Sequence, residues 1–400
     1  IRMKNKTPIL LIVLILVGCL GQINADMYTP SFKAITRSLR CTDNIVQLSL
    51  SLYLLSMGLS QLIYGPISEG IGRRLTIIIG IIINIIGAVI VAHTNTSDGL
   101  LLGRVIQGLG AGAAAALYRS ILRDSFSGHQ LTKMIAYFTN GAIFICITSP
   151  VLGGFIQDAF GWRTTFLTLI GYSIVTLILV ITCLRETNTQ QSKDKLNVHF
   201  LLNSYRELIT DRGFLGCCLC VFLTYGGLFA WFTSGSLICV KMLGISPATF
   251  GLLNILTGLS VLIGTNLNTK ISKRFGASAA MQLGWSTIAI AGISILTCHF
   301  IMSLNIWMII IPVCLFIAGA GFIWPNTFTT AFNPFGHIAG YASAIYGCIQ
   351  IIGGAFFSTV LSYIPETNAL PLAIAISLSG ILALLCFLII VKPTMKKASS

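Results

Sequence analysis

The sequence predicts an all-α membrane protein, with twelve transmembrane helices in two pseudo-symmetric six-helix bundles. Composition is the first reason. Hydrophobic residues make up 55% of the 400 and charged residues 9%, against roughly 25% charged in a soluble domain. So few charges could not cover the surface of a soluble fold this size. The second reason is that the apolar residues gather into twelve runs, each able to supply a span of about 20 residues. The third is an echo between the two halves of the chain.

Taken in order, a basic stretch, Ile1 to Lys6, precedes a first run near 8–30. That run is longer than the 7–15 or so apolar residues of a secretory signal, so an uncleaved first helix is expected. Spans two to six fall near 45–68, 75–93, 99–118, 131–156 and 163–184. A polar segment follows, and spans seven to twelve fall near 213–240, 248–269, 277–298, 306–329, 341–363 and 371–391. The expected organisation is an N-terminal bundle over 1–184, a cytoplasmic central loop over 185–212 and a C-terminal bundle over 213–400.

Charge sets the orientation. With both termini in the cytoplasm, nineteen of the 25 lysines and arginines lie on that side and five outside: Lys33, Arg37, Arg40, Arg163 and Lys241. Arg104 lies within span four. This bias follows the positive-inside rule. It also accounts for the net charge of +14 without a nucleic acid, because the bases form no single patch. Lys33, Arg37 and Arg40 read as a solvated loop helix, or as an attractor for anions at the outer mouth.

Ordinary site chemistry is not indicated. Most of the twelve cysteines lie in apolar runs, and Cys217-Cys218-x-Cys220 reads as small packing residues rather than a metal motif. His93, His129, His199, His299 and His337 lack ligand spacing. With no nucleophile, acid–base pair or metal cluster in the membrane, the chain is not expected to be an enzyme or to need a cofactor. The lipid bilayer is the expected surrounding partner, and a monomer the expected unit.

The echo pairs Gly65-x-x-x-Glu69-x-x-Gly72-Arg73-Arg74 after span two with Gly264…Lys273-Arg274-Phe275-Gly276 after span eight. It also pairs Gly108-Leu109-Gly110-Ala111-Gly112 with Gly319-Ala320-Gly321, and Gly153-Gly154 with Gly353-Gly354. Together these indicate duplication, the layout of a two-bundle transporter with its site between the halves.

Four groups could carry function. Glu69 beside Gly72-Arg73-Arg74 can pair with an arginine or cap a helix in one conformation and let go in another. Pro150 removes a backbone donor, and Gly153-Gly154 admit a second helix closely. Asp26 is the single acid within a span, and intramembrane ionisable groups are usually kept for use. Arg104 cannot shed its charge, so it needs an anion, a carbonyl or water beside it. Asp26 is the anion on offer, and Gln107 lies one helical turn from Arg104. The C-terminal spans carry no charge, and Tyr225, Phe229, Phe232, Asn254, Trp324, Asn326, Phe328, Tyr346 and Gln350 are their candidates for an amphipathic cavity.

The loop Gly65-Pro66-Ile67-Ser68-Glu69-Gly70-Ile71-Gly72-Arg73-Arg74 resembles the loop 2–3 motif of the major facilitator superfamily, with Glu69 in place of Asp and Gly70 in place of an arginine. Arg104-x-x-Gln107-Gly108-x-Gly110 is similar to the span-four motif of proton-coupled members. Ser149-Pro150-x-x-Gly153-Gly154 is similar to the antiporter motif of span five. Ala116-x-x-Arg119-x-x-x-Arg123-Asp124 and Pro334-Phe335-x-His337-Ile338-Ala339-Gly340 resemble the Bcr/CflA branch of drug:proton antiporters. Asn24-x-Asp26-Met27 with Pro30 is similar to the first helix of MdfA-like transporters, although Gly18 stands where those carry a second acid.

The resemblance implies a proton-coupled exporter of small amphipathic compounds in a bacterial inner membrane, working by alternating access. Asp26 would bind and release a proton as its hydration and its distance to Arg104 change. The alternative is transport of a polar or anionic metabolite, such as a siderophore or amino acid, which the outer bases, Arg104 and Gly18 favour. A non-transporting receptor on the same fold is the reading from another class.

Overall fold

A computed structural model describes residues 7–126, 128–188, 198–301, 305–364 and 368–399. Twelve helices are long and apolar enough to cross a membrane. The N-terminal six are α1 (Thr7–Asp26), α3 (Asp43–Ile71), α4 (Arg73–His93), α5 (Ser97–Ser125), α6 (Gly128–Phe160) and α7 (Trp162–Cys183). A short α2 (Phe32–Ser38) follows α1 through a tight turn at Thr29–Ser31. The C-terminal six are α9 (Arg212–Ala230), α10 (Pro247–Phe275), α11 (Ala277–Ile301), α12 (Ile306–Phe332), α13 (Ala339–Ser362) and α14 (Leu370–Cys386). Between the two sets lies α8 (Val198–Thr210), and α15 (Lys392–Ser399) follows α14.

Helix pairing repeats between the halves. In the first bundle α5 packs on α3 and α4, α4 on α7, and α1 on α6; in the second α12 packs on α10 and α11, α11 on α14, and α9 on α13. Each C-terminal pair is the counterpart of an N-terminal one. The two bundles meet chiefly along α3 with α13 and α6 with α10. Gly72 and Gly276 occupy equivalent turns, with φ of 98° and 86°, a backbone that favours glycine. The bundles present leucine and isoleucine outward, as a lipid-facing surface requires, for example Leu102, Ile178 and Ile311.

Three expectations need correction. The segment 185–212 is not a simple loop, because it contains the amphipathic helix α8; residues 189–197, with Lys193 and Lys195, lie outside the described residues, as do 1–6. Tyr205 of α8 donates a hydrogen bond to the Leu62 carbonyl at 3.1 Å and packs on Tyr341 of α13. Burial and the neighbouring Tyr341 push the Tyr205 hydroxyl above its ordinary value, so it remains a donor that ties the connector to both bundles. Second, α5 continues for two turns beyond its apolar run, so Arg119 lies on a membrane helix and not in a loop. Third, Lys33 is not a free attractor: its Nζ donates to the Val240 carbonyl at 3.0 Å.

Candidate functional site

Asp26 closes α1 and is 1% exposed. Its Oδ1 accepts a hydrogen bond from Gln22 Nε2 at 2.7 Å, one helical turn earlier. The Thr29 hydroxyl takes up the Asp26 carbonyl at 3.0 Å, a backbone acceptor that the end of the helix leaves open. The carboxyl is thus held by local partners.

Arg104 is fully buried on α5, but it does not pair with Asp26; that expectation is corrected. Its Nη1 donates to the Asn24 carbonyl at 3.2 Å and to Gln107 Oε1 at 2.6 Å. Its guanidinium lies 4.1 Å from the ring centre of Tyr53, 4.6 Å from that of Tyr28 and 5.9 Å from that of Phe166. Ring faces attract a cation more strongly once water is removed. Both tyrosines are pinned at their far ends, Tyr28 to Ser49 at 2.5 Å and Tyr53 to the Gly21 carbonyl at 2.7 Å. A carbonyl, an amide and a pinned aromatic cage therefore stand where a carboxylate was expected. Nε and Nη2 have no hydrogen-bond partner.

Pro150, Gly153 and Gly154 connect this corner to the second bundle. A Cβ at Gly153 would stand 2.2 Å from the Met27 carbonyl, next to Asp26, and one at Gly154 would stand 2.4 Å from the Pro247 carbonyl of α10. A Cβ at Gly251 of α10 would in turn meet the Pro150 carbonyl at 2.6 Å. Only glycine permits backbones this close. The run of small residues thus brings α1, α6 and α10 together.

Around this seam the same end of the bundles is latched. Ser236 donates to the Thr29 carbonyl at 2.7 Å, and Asp158 Oδ2 accepts from the Ala248 backbone at 3.0 Å. Lys241 pairs with Asp43. The opposite, basic end carries the Glu69 motif. Arg73 is nearly buried and binds Glu69 at 2.5 Å, Ser68 Oγ at 2.5 Å and Asp124 at 3.4 Å. Capping, however, falls to Glu186, whose two oxygens accept from the backbones of Arg73 at 2.9 Å and Arg74 at 3.1 Å. Arg74 reaches the Ile181 carbonyl at 2.6 Å. A small cleft of about 20 Å³, room for a water, lies against Gly65, Glu69, Arg73 and Tyr341.

The cavity candidates divide into two groups. Asn254 accepts from Trp231 and donates to the Phe250 carbonyl, and Asn326 donates to Asn268 and the Phe322 carbonyl. Both amides are engaged inside the second bundle. Phe229 is fully buried, Phe232 lies 5.8 Å from it ring to ring, and Gln350 is buried on α13. Tyr225, Trp324, Phe328 and Tyr346 instead form two ring pairs, Tyr225–Trp324 at 5.3 Å and Phe328–Tyr346 at 5.9 Å. Phe328 of the second pair meets Arg119 of the first bundle, so that pair borders the space between the bundles.

Sequence reasoning missed Glu186, the Tyr28–Tyr53–Phe166 cage and the inward placement of Arg119. For Arg119 a signal existed: no glycine or proline interrupts the chain between Gly112 and Gly128, so the helix had no reason to stop at residue 118. The side chain of His337 lies outside the described residues.

Comparison with known proteins agrees with this architecture. "Multidrug resistance protein D" of Escherichia coli is 28% identical over 388 residues, covering 96% of each chain. "Bicyclomycin resistance protein homolog" of Haemophilus influenzae is 23% identical, covering 98% of each. Among solved structures, the partially occluded inward-open xylose transporter XylE from E. coli superposes with a TM-score of 0.76 at 16% identity, over 96% of this chain and 98% of that one. The model of the Major Facilitator Superfamily matches residues 14–358. The twelve spans, the paired bundles and that match give one result: the chain belongs to the Major Facilitator Superfamily.

Proposed function

We propose that the protein is a proton-coupled antiporter that exports small amphipathic compounds across a bacterial inner membrane. In this reading the basic end faces the cytoplasm and the latched end faces outward. The observation that carries it is Asp26, a carboxyl 1% exposed in a membrane helix, joined to the α6–α10 seam through Met27 and Gly153. A conformational change that opens the seam must move the backbone beside that carboxyl. Proton binding and bundle rocking are then two descriptions of one motion. Drug export as the task draws on the relatives named for multidrug and bicyclomycin resistance. Arg104 acts as a fixed cation that orients the end of α1 through the Asn24 carbonyl, and Gln107 holds it in place.

The test is uptake into inside-out vesicles or proteoliposomes under an imposed pH gradient. Asp26→Asn is expected to abolish proton-driven transport while leaving gradient-free exchange of substrate. Full proton-driven transport by Asp26→Asn would overturn the reading. Transport of a polar or anionic metabolite is the second reading, and Gly18 favours it. A Cβ there would lie 2.6 Å from Phe138 and 3.2 Å from Tyr118, so aromatic packing fills the place of a second acid.

A further inference from the structure

Arg119 is a cation that the mechanism above does not use. It is half-buried on α5, with six residues of helix still to follow. Its guanidinium lies over the Tyr118 ring at 4.9 Å and over the Phe328 ring at 5.6 Å. Tyr118 belongs to the first bundle and Phe328 to α12 of the second, so the charge lies across the seam. Nη1 also comes within 3.8 Å of the place a Cβ would take at Gly347 of α13.

Nothing negative neutralises it. Among the described residues Arg119 has no hydrogen bond and no carboxylate partner, whereas neighbouring Arg123 meets Asp124 at 4.0 Å and Arg73 takes the same carboxylate's other oxygen. An anchoring arginine would extend toward the basic end, as exposed Arg123 does; Arg119 turns toward Phe328. The rings around it are ordered. Tyr118 stacks on Phe138 at 4.7 Å and 12°, and Phe328 stacks on Phe332 at 4.1 Å and 24°. A second donor without a partner, Trp324 Nε1, is carried by the same α12. The place therefore offers flat apolar faces, five N–H groups on a permanent cation and a spare indole donor on the same helix as Phe328, with neutral Gln61 near Gly347 and, among the described residues, no carboxylate beside the guanidinium.

We infer that Arg119, held between Tyr118 and Phe328, is a recognition site for the anionic end of an aromatic weak acid, with the ligand's ring stacked among those side chains and both bundles gripping it. Such a ligand supplies what the guanidinium lacks, a planar acceptor that it can bind in bidentate fashion. A lipophilic cation meets repulsion at the same spot. The inference rests on the transporter reading and assigns its substrate class.

Equilibrium binding to the purified full-length chain in nanodiscs tests it without any gradient, so a failure of Asp26 coupling would leave the result intact. The probes are three isosteres: 2-naphthoate, 2-naphthylmethanol and 2-naphthylmethylammonium, followed by titration calorimetry. Naphthoate is expected to bind at least tenfold more tightly than the alcohol, and the ammonium more weakly than either. Arg119→Gln should remove the preference for naphthoate while leaving the alcohol's affinity unchanged, and Arg119→Lys should restore part of it. Equal binding of the three probes, no binding of naphthoate, or equal loss for all three in Arg119→Gln would overturn the inference. If Arg119→Gln does not fold, the ranking of the three probes on the native protein and on Arg119→Lys decides the matter.

Discussion

A guanidinium cannot shed its proton inside a membrane, so every buried arginine must be solvated by protein. Arg104 and Arg119 show two solutions. Arg104 is held at Nη1 by Gln107 and the Asn24 carbonyl and is enclosed by a cage of rings, with Nε and Nη2 left without hydrogen-bond partners, which suits a structural cation. Arg119 has rings but, among the described residues, no carboxylate partner, which suits one that waits for a ligand. Gly18 completes the picture at this scale. Its neighbour Phe138 is stacked flat on Tyr118, so a larger side chain at 18 must break that stack. Gly18→Glu is expected to cost about 1–3 kcal/mol, the usual range for overpacking, read as a lowered thermal midpoint in detergent. Adding Phe138→Ala should recover most of the loss. Recovery would show that sterics keep the second acid out. An undiminished midpoint in Gly18→Glu alone would show that the stack is soft.

Among the elements, the turn between α3 and α4 gathers several charged partners. Glu69 and Asp124 neutralise Arg73, and Glu186 arrives from beyond α7 to cap α4. The cap joins the free N–H groups and the positive end of a helix to a carboxylate. Glu186→Ala is therefore expected to destabilise the first bundle by about 1 kcal/mol, the typical worth of a cap, and to speed hydrogen exchange at Arg73 and Arg74 first. Exchange that rises equally throughout α4 would contradict a capping role. This element also shows what can be read without coordinates. The Gly72-Arg73-Arg74 turn was legible because a glycine turn and neighbouring opposite charges are local. Glu186 was not, because 113 residues separate it from Arg73 and no local pattern marks the pairing. The same division holds elsewhere. Twelve spans, the α6 glycines and Asp26 follow from hydropathy and composition, whereas the Arg104 cage joins α1, α3, α5 and α7. Counting charges by loop misplaced Arg119, because apolar runs and helices end for different reasons.

At the scale of the whole molecule, two bundles of like pairing are fastened at the end opposite the Glu69 motif by Lys241 with Asp43, Ser236 with the Thr29 carbonyl and Asp158 with α10. Asp26 is buried near that end, and Arg119, without a carboxylate partner among the described residues, lies nearer the basic end. That arrangement has a consequence for the currency that drives the pump. Exchange of a monovalent cation for one proton moves no net charge, so only a pH difference drives it. Exchange of a neutral compound moves one charge. Export of a monoanion against one proton moves two charges inward, and each is worth about 2.3 kcal/mol per 100 mV. Collapse of the membrane potential with valinomycin and potassium, at constant pH difference, is then expected to slow naphthoate export more than export of the uncharged alcohol. An arginine fixed between the two bundles would, by selecting anions, make this transporter a voltage-driven one.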